Sequence, residues 1–586
     1  LGQLTVLARA CQQAADAQPA QVLRLRVLAN STVDLWLPAL MASAPRHGLL
    51  LTVDTGPFGS WMQEALDPNS ATRLQPPQAV LLALDETAFH FPATPGDSSA
   101  ATGHLTLALG QLQAAVSALQ CANVSMVLVQ TLVNTGGPLF GHLDGQLPGT
   151  RAWLIDQFNR HLREQPLPGT LLLDTAALAA QVGITRWHDR SLWQLGKVAL
   201  SARAMPLYAE NVCRLLMAAR GLARKCLVLD LDNTVWGGVI GDDGLGGIVL
   251  GQGSAAGEAH LAVQHAALAL RERGIVLAVA SKNDDAIARL PFRDHPDMVL
   301  REDHIAVFQA NWHDKASNLR AIARTLNIGT DALVLLDDNP AERHQVRNAL
   351  PEVAVPELPD SPEHFAATLM AAGYFESVLF TPEDRQRAGQ YQAQATRSAL
   401  LDTAADLDSH LQSLAMVARC SPFDADGRAR ITQLINKTNQ FNLSTRRRSE
   451  AEVEALERDR SAFTMQLRLN DRFGDNGMVC VVICFDVGDD WLIDTWLMSC
   501  RVLNRRLEHA VLNFLSARAQ ANGKRRLIAD YLPTAKNGPV SGLLPGLGFE
   551  LLGATPGAAT GATRWVLPLA SASALASPVD LHTVGY

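Results

Sequence analysis

The sequence predicts a multidomain α/β protein that closes with an α+β domain, and three observations predict it. The chain has 586 residues, several times the ~150 of an ordinary domain. Over the first two-thirds, short apolar runs alternate with amphipathic stretches, as strands and crossover helices of parallel sheets do. Beyond residue 402 longer apolar runs follow one another closely, the mark of antiparallel strands. Lys plus Arg is 50 against 58 Asp plus Glu, a net charge of −8, so no overall basic field draws in nucleic acid. No apolar run approaches the ~20 residues of a membrane helix. Eight cysteines without a C-x-x-C pair indicate reduced thiols rather than a disulfide framework or a zinc site, as in a cytoplasmic protein. The opening Leu1-Gly2-Gln3 has no signal pattern and no Met, which reads as an excised or trimmed segment, a fragment of a cytoplasmic megaenzyme being one alternative.

The elements follow in order. Residues 1–204 form one α/β domain, with strands at Leu23–Leu28, Leu49–Val53, Ala79–Leu84, Val124–Val129 and Thr170–Leu173. Residues 205–375 form a second, opening on the helix Leu207–Arg220, with strands at Cys226–Leu231, Ile275–Ala280 and Leu333–Leu336. Helices at His260–Arg273 and Lys315–Leu326 separate those strands. A helical connector, 376–402, leads to the α+β domain, 403–570. There the strands are Leu414–Cys420, Phe463–Leu469, Met478–Phe485 and Trp491–Cys500, then the helix Leu503–Gln520 and the strands Arg526–Tyr531 and Phe549–Leu552. The Ala/Ser-rich end, 571–586, reads as a tail or linker.

In the second domain the apolar strand ends in Asp230-Leu231-Asp232-Asn233-Thr234, a D-x-D-x-T that delivers two carboxylates and a hydroxyl to a strand's carboxyl end. A solvated turn would give the same letters. Three further stations follow: Ser281 at the end of a strand, Lys315 at the start of a helix, and Asp337-Asp338 at the end of another strand. Together they resemble the four-motif pattern of the haloacid dehalogenase-like phosphotransferases. The resemblance implies Asp230 as nucleophile, Asp232 as general acid and base, Thr234 as a brace, and Ser281 and Lys315 on the phosphoryl group. It also implies Mg²⁺ held by Asp230, the carbonyl of Asp232, Asp337 and Asp338. Only the Gly-rich piece Gly237–Gly244, one helix and one strand lie between the first two stations, so the cap is minimal. An open site suits a macromolecular substrate, or an entrance covered by a neighbouring domain.

In the last domain, Asp494–Cys500 runs into Arg501-Val502-Leu503-Asn504-Arg505-Arg506, which is expected to open the long helix. A strand followed by backbone donors at a helix start resembles the GNAT-type acyltransferases. Their R/Q-x-x-G-x-G/A is here Arg501, Asn504 and Arg506, without glycines. The resemblance therefore implies a carrier-protein phosphopantetheine more than coenzyme A. Cys500 falls where that fold brings the thioester carbonyl, and a helix start beside Arg501, Arg505 and Arg506 favours the thiolate. The competing reading is a core cysteine, the reading taken for Cys226, Cys480 and Cys484. Two polar clusters, Asn436–Arg446 with Asn439, Gln440 and Arg446, and Asp471–Gly477 with Asp475 and Asn476, suit an oxygen-rich ligand. So do Lys536 and Asn537 in the turn Thr534–Pro539. A helix end and a hairpin turn are the alternative readings of the clusters.

The runs K-C-L-V-L-D-L-D-N-T-V-W-G-G, N-W-H-D-K, D-D-N-P-A-E-R, N-K-T-N-Q-F-N-L-S-T-R-R, R-F-G-D-N-G, M-S-C-R-V-L and T-A-K-N-G-P-V together resemble the FkbH-like glyceryl transferase/phosphatase family of polyketide pathways. The likeness covers about Leu222 to Phe549. It implies an enzyme that takes a small acyl phosphate, 1,3-bisphosphoglycerate, removes phosphate, holds a glyceryl group on a cysteine and loads an acyl carrier protein. The first domain resembles an SGNH-hydrolase-like, flavodoxin-type α/β fold, with Ala29-Asn30-Ser31-Thr32 in place of G-D-S. Asn134, Gly136, Gly137 and the pair His188-Asp189 are candidates to complete a Ser/His/Asp set, but a packing or docking role is expected. Two alternatives stay open: an acyltransferase fused to a phosphatase of unrelated substrate, and a non-enzymatic docking scaffold.

Overall fold

Leucine- and valine-rich runs form the first sheet: Val22–Ala29 (β1), Leu50–Thr55 (β2), Ala79–Ala83 (β3), Met126–Gln130 (β4) and Thr170–Leu173 (β5). The computed structural model describes residues 2–17, 22–402, 406–534, 536–558 and 561–586. The five strands pair in parallel in the order β2-β1-β3-β4-β5, the flavodoxin-type order. Central β3 is buried at all five positions, as befits a parallel strand covered on both faces.

The chain divides into two compact units, Leu1–Ala219 and Arg220–Tyr586. The helix Met205–Ala219 thus closes the first unit rather than opening the second, which moves the expected boundary after residue 204. Its apolar face decides this: the Tyr208 ring meets Trp36 edge-on at 5.0 Å, and Cys213 Sγ lies 3.5 Å from the Leu40 carbonyl.

In the second unit, Cys226–Leu229 (β6), Val276–Ser281 (β7), Ile305–Ala310 (β8) and Leu333–Leu336 (β9) form a parallel sheet ordered β8-β7-β6-β9. The connector is the helix Pro382–Asp402, and it lies against this sheet: Tyr391 is buried in one cluster with Cys226, Val228, Val276 and Ala278. A mixed eight-stranded sheet follows, from Val417–Ser421 (β10), Ala462–Asp471 (β11), Gly474–Val487 (β12), Asp490–Met498 (β13), Arg526–Tyr531 (β14), Glu550–Ala554 (β15), Thr563–Pro568 (β16) and Asp580–Thr583 (β17). Its order is β15-β16-β14-β13-β12-β11-β10-β17.

Three details of this sheet depart from expectation. The end, 571–586, is no loose tail: β17 pairs in parallel with β10, and the Tyr586 ring stacks on Phe463 at 5.5 Å. Burial of that ring and the pairing of the strand outweigh the small-residue composition. The long helix begins at Leu507, not near Arg501, because Asn504 and Arg506 take left-handed backbone (φ 62° and 55°). Cys500 opens a separate 3₁₀ turn, Cys500–Val502, so it does not stand at the long helix's N-terminus. Finally, β13 and β14 pair only from Asp490–Ile493 against Arg526–Ala529 and then part. The gap is filled by the chain itself: Leu443 N–H donates to the Trp496 carbonyl (3.2 Å), and Leu532 N–H to the Leu443 carbonyl (2.9 Å). Among the described residues, no helix is long and apolar enough to cross a membrane.

Candidate functional sites

The first site lies at the carboxyl edge of the four-stranded sheet. Asp230 follows β6, Ser281 ends β7, and Asp337 and Asp338 follow β9, so parallel pairing of those strands brings them together. Lys315 opens the helix Lys315–Leu326, and its ammonium sits 2.6 Å from Asp230 Oδ1 and 3.0 Å from Asp337 Oδ2, donating also to the Ala280 carbonyl at 2.8 Å. The carboxylates of Asp230, Asp337 and Asp338 each offer an oxygen within 4.8 Å of the others.

Two buried carboxylates and the half-buried Asp338 around one lysine leave excess negative charge. Burial, reinforced by Asp337, raises the Asp230 carboxyl to about 6 despite Lys315. Burial and the charge of Asp230 also raise Asp338. Burial pulls Lys315 down, but the two carboxylates more than offset it and hold the lysine above its ordinary value. A divalent cation fits this donor set, since hard oxygens and uncompensated charge are what it requires. Asp232 stands outside the triad: its carboxylate accepts from the Trp236 indole (3.0 Å), the Ile240 backbone (3.0 Å) and Asn283 Nδ2 (2.8 Å). Only its backbone carbonyl is left for an ion. Thr234 Oγ1 braces Asp338, donating to Oδ1 and accepting from its N–H, both at 3.1 Å. Ser281 Oγ is buried and accepts from Asn283 (3.1 Å). Beside the site lie the four-residue helix Ile240–Asp243, whose Ile240 N–H donates to Asp232, and a tight turn at Gly238 (φ 89°), where a Cβ would meet Asp243 Oδ2 at 2.6 Å.

The second site is a cavity of about 480 Å³ at the opposite edge of the same sheet. Lys225, Ile275 and Ala332, each the residue before a strand, line it, and so do Cys500, Tyr391, Asn439, Gln440, Arg501 and Lys536. The Tyr391 hydroxyl is 3.3 Å from Cys500 Sγ, and the Cys500 carbonyl accepts from Asn327. Cations dominate the wall: Arg224, Lys225, Arg273, Arg387, Arg430, Lys437, Arg501 and Lys536. Burial and mutual repulsion push Lys437 down to about 7 and Arg387 to about 10, and Arg430 well below its usual range. Asp384 answers part of this charge, pairing with Arg387 and accepting from Gln433. Asp331, which pairs with Lys536, and Glu352 and Glu376 also line the cavity, so four carboxylates face eight cations, and the excess positive charge suits an anionic ligand.

Arg387, Tyr391, Arg430 and Gln433 were not singled out from sequence, and each would read alone as an ordinary helix residue, whereas Lys437 falls within the polar cluster Asn436–Arg446. The available signal is spacing: 387 and 391, and 430, 433 and 437, each fall on one helix face. Other expected ligand residues bond to the protein itself and do not line the cavity. Arg505 is buried, donating to Asp471 (3.0 Å), Gln394 (2.6 Å) and the Arg501 carbonyl (2.7 Å). Asn476 donates to Asp471 (3.0 Å), and Asp475 accepts from Gly477 N–H (2.6 Å). Arg446 pairs with buried Asp494. Asn537 is fully buried and donates to the Asn442 and Leu532 carbonyls (3.0 and 2.9 Å), closing the gap between β13 and β14. Buried backbone left by that gap needed partners, and these amides supply them.

Arg397 also binds Asp471, at 2.7 Å, so one carboxylate neutralises two buried guanidinium groups. Asp471→Ala should destabilise this unit by about 3–5 kcal/mol, because it strands both cations. Chemical denaturation monitored by tryptophan fluorescence measures it. The Asp471 carboxyl, though raised by burial, is held below its usual range by Arg397 and Asn476. Its contribution is therefore present above the unfolded carboxylate pKa and lost as pH falls through the folded one.

Cys226, Cys480 and Cys484 are fully buried, and burial pushes each thiol up. In the first unit, Ser31, Gly136, Gly137 and His188 line a cavity of about 420 Å³. No Ser/His/Asp relay forms there: His188 Nδ1 meets the Ala199 carbonyl at 2.9 Å, while Asp189 caps the helix Arg190–Gly196. Asn134 accepts from Gly136 N–H.

No protein-family model and no curated protein match the sequence. Among solved structures, the chain is similar to the N-terminal part of the protein BF1531 from Bacteroides fragilis, which contains a phosphatase domain and is complexed with Mg. That likeness has 30% identity and a TM-score of 0.57 and covers 64% of this chain and 98% of the other. A ribosomal-protein-S18-alanine N-acetyltransferase from Escherichia coli matches 26% of this chain and 94% of its own at 16% identity, TM-score 0.21. The GNAT domain of S. lividans PAT matches 25% of this chain and 89% of its own at 15% identity, TM-score 0.21.

Proposed function

Since the chain belongs to the family of BF1531, whose N-terminal part contains a phosphatase domain complexed with Mg, we propose that it is a Mg²⁺-dependent phosphatase joined to an acyltransferase that works through Cys500. The observation that carries this reading is the pair of sites in one unit: a carboxylate triad bridged by a buried lysine, and a thiol set among cations. At the first site Asp230 attacks the phosphorus of a phosphomonoester and Asp232 protonates the departing alcohol. Water then releases orthophosphate from Asp230, with Asp232 taking its proton. Lys315 and Ser281 hold the phosphoryl oxygens. Asp230, Asp337, Asp338 and the Asp232 carbonyl would hold Mg²⁺, which would offset charge on the phosphate oxygens.

At the second site the Cys500 thiolate attacks the carbonyl of an acyl phosphate, the carbonyl–oxygen bond breaks, and orthophosphate leaves. The finer reading follows the FkbH-like resemblance: the substrate is 1,3-bisphosphoglycerate, the group is glyceryl, and the acceptor is the phosphopantetheine of an acyl carrier protein in cytoplasmic polyketide assembly. Eight cationic side chains against four carboxylates leave the cavity an excess of positive charge, which suits a phosphorylated ligand. Without glycines at Asn504 and Arg506, and with residues 441–443 in the gap between β13 and β14, coenzyme A is the less suited thiol. The first unit, SGNH-like in sheet order, serves as a packing or docking domain.

Intact-protein mass spectrometry after incubation with 1,3-bisphosphoglycerate, followed by peptide mapping, tests the reading. An acyl adduct on Cys500 is expected; an adduct on Cys226, or none, refutes it. Lys437→Gln should weaken binding of the acyl phosphate about tenfold to a hundredfold, the value of one hydrogen bond to a charged group. Because Lys437 sits at about 7, sulfate affinity of the wild type should fall as pH rises through 7, and titration calorimetry should find that step missing in Lys437→Gln.

A further inference from the structure

The first unit holds a cavity of about 420 Å³ that the proposed chemistry does not use. It lies at the carboxyl ends of β1, β3, β4 and β5, which Ser31, Glu86, Gln130 and Thr175 end or closely follow. The chain passes from one side of β1 to the other between β2 and β3, and at such a switch point an open parallel sheet leaves a crevice for ligands. A clasp ties the two strand ends together: Asn30 Nδ2 donates to Asp85 Oδ1 at 2.8 Å, and Asp85 N–H donates to Asn30 Oδ1 at 3.0 Å. The volume is that of a small-molecule site rather than of a packing defect.

The wall of this cavity is aromatic. Trp36, Trp187 and Trp193 line it together with Tyr208. Trp36 and Trp187 meet the Tyr208 ring edge-on at 5.0 and 6.4 Å, and the Tyr208 hydroxyl is taken by Gln130 Oε1 at 2.7 Å. Trp193 is half-buried on the helix Arg190–Gly196. Two polar groups set among these rings lack partners. Ser31 is 7% exposed and Glu86 5%. Glu86 Oε1 accepts from the Thr135 hydroxyl and stands 3.3 Å from Arg151, but among the described residues nothing bonds to Glu86 Oε2 or to the Ser31 hydroxyl. Buried polar groups are almost always paired, so these two look to the cavity for a partner. His188 adds a third group, because Nδ1 donates to the Ala199 carbonyl (2.9 Å) and Nε2 of the neutral ring is left an acceptor. Asp85 and Glu86 balance Arg151 and Arg190 in the lining, so no net charge calls for an ion.

We infer that this cavity binds an uncharged sugar, a role beyond the packing or docking given to the first unit. A pyranose ring has the matching chemistry. Its C–H face lies against indole rings, and its hydroxyls supply the donors that Glu86 Oε2 and His188 Nε2 require, while the Ser31 hydroxyl can donate or accept. A few placed polar groups in an aromatic wall are what a small-molecule site needs for orientation. Ser31 has no hydrogen-bonded base, since its hydroxyl meets no imidazole, so it recognises the ligand and does not attack it.

Saturation-transfer difference NMR on the full chain tests this with glucose, galactose, N-acetylglucosamine and maltose as probes. At least one should give a saturable signal. Ser31→Ala should weaken that binding about threefold to tenfold, the value of one uncharged hydrogen bond. The same variant should keep its thermal melt, because the hydroxyl it loses has no partner in the protein. Trp193→Ala, on a half-buried ring, should weaken binding about tenfold or more through lost stacking. Benzoate and benzyltrimethylammonium serve as charged aromatic probes and should not displace the sugar. No signal from any of the four sugars, or a signal that both variants keep, overturns the inference. Binding of a charged probe where no sugar binds overturns the ligand class and the inference with it.

Discussion

Asp230→Asn is expected to lower Mg²⁺-dependent phosphate release by on the order of 10³-fold or more, because the amide keeps the carboxylate's size but cannot attack phosphorus. The fold should survive. Lys315 keeps its contact with Asp337 at 3.0 Å and its bond to the Ala280 carbonyl, and one of three crowded negative charges is gone. Circular dichroism and a thermal melt check that expectation alongside the activity assay. EDTA should act like the substitution, since the triad of Asp230, Asp337 and Asp338 lacks its counter-charge without a cation. The pH dependence has a definite sign. Burial lifts Asp230 to about 6 in the metal-free protein, so below that pH a proton competes with the cation for this oxygen. Half-saturating Mg²⁺ should therefore be higher at pH 5 than at pH 7. Undiminished turnover by Asp230→Asn, or by the enzyme in EDTA, would overturn the assignment of this site.

The two sites differ in how much of them a sequence carries, and the reason is physical. Asp230, Ser281 and Asp337 each end or directly follow an apolar run, and parallel strands in one sheet bring their carboxyl ends together. Local pattern therefore implies proximity, and Lys315 at a helix start completes the set. The cation-walled cavity has no such rule. Its thiol lies between β13 and the helix Leu507–Ala521, its hydroxyl on the helix Pro382–Asp402, and its arginines Arg387 and Arg430 on that helix and on Arg428–Lys437. Helix residues such as Arg387 and Arg430 look solvated until tertiary packing turns them inward. Amides mislead in the opposite direction. Asn476 and Asn537 have a ligand-binder's chemistry, but the first ties down Asp471 and the second closes the backbone where β13 and β14 part. Likewise Asn504 and Arg506 hide a left-handed turn, because nothing but glycine announces positive φ in a sequence.

Cys500→Ser should remove the acyl adduct and reduce transfer to a carrier thiol to background, since a serine hydroxyl is almost wholly protonated at neutral pH and a poor nucleophile. Release of phosphate from a phosphomonoester should continue, because Asp230 and Lys315 lie at the other edge of the sheet. Tyr391→Phe separates packing from chemistry at the same sulfur. The ring, buried against Cys226, Val228 and Val276, stays in place, while the hydroxyl 3.3 Å from Sγ is lost. If that hydroxyl donates to the Cys500 thiolate, its removal should slow acyl transfer about tenfold to a hundredfold, the range of one hydrogen bond to a charged acceptor. It should also shift the pH profile of Cys500 alkylation by iodoacetamide toward higher pH, because the thiolate loses a donor. A purely structural tyrosine would leave that profile where it is. An unshifted profile together with unaltered transfer in Tyr391→Phe would reduce the tyrosine to packing.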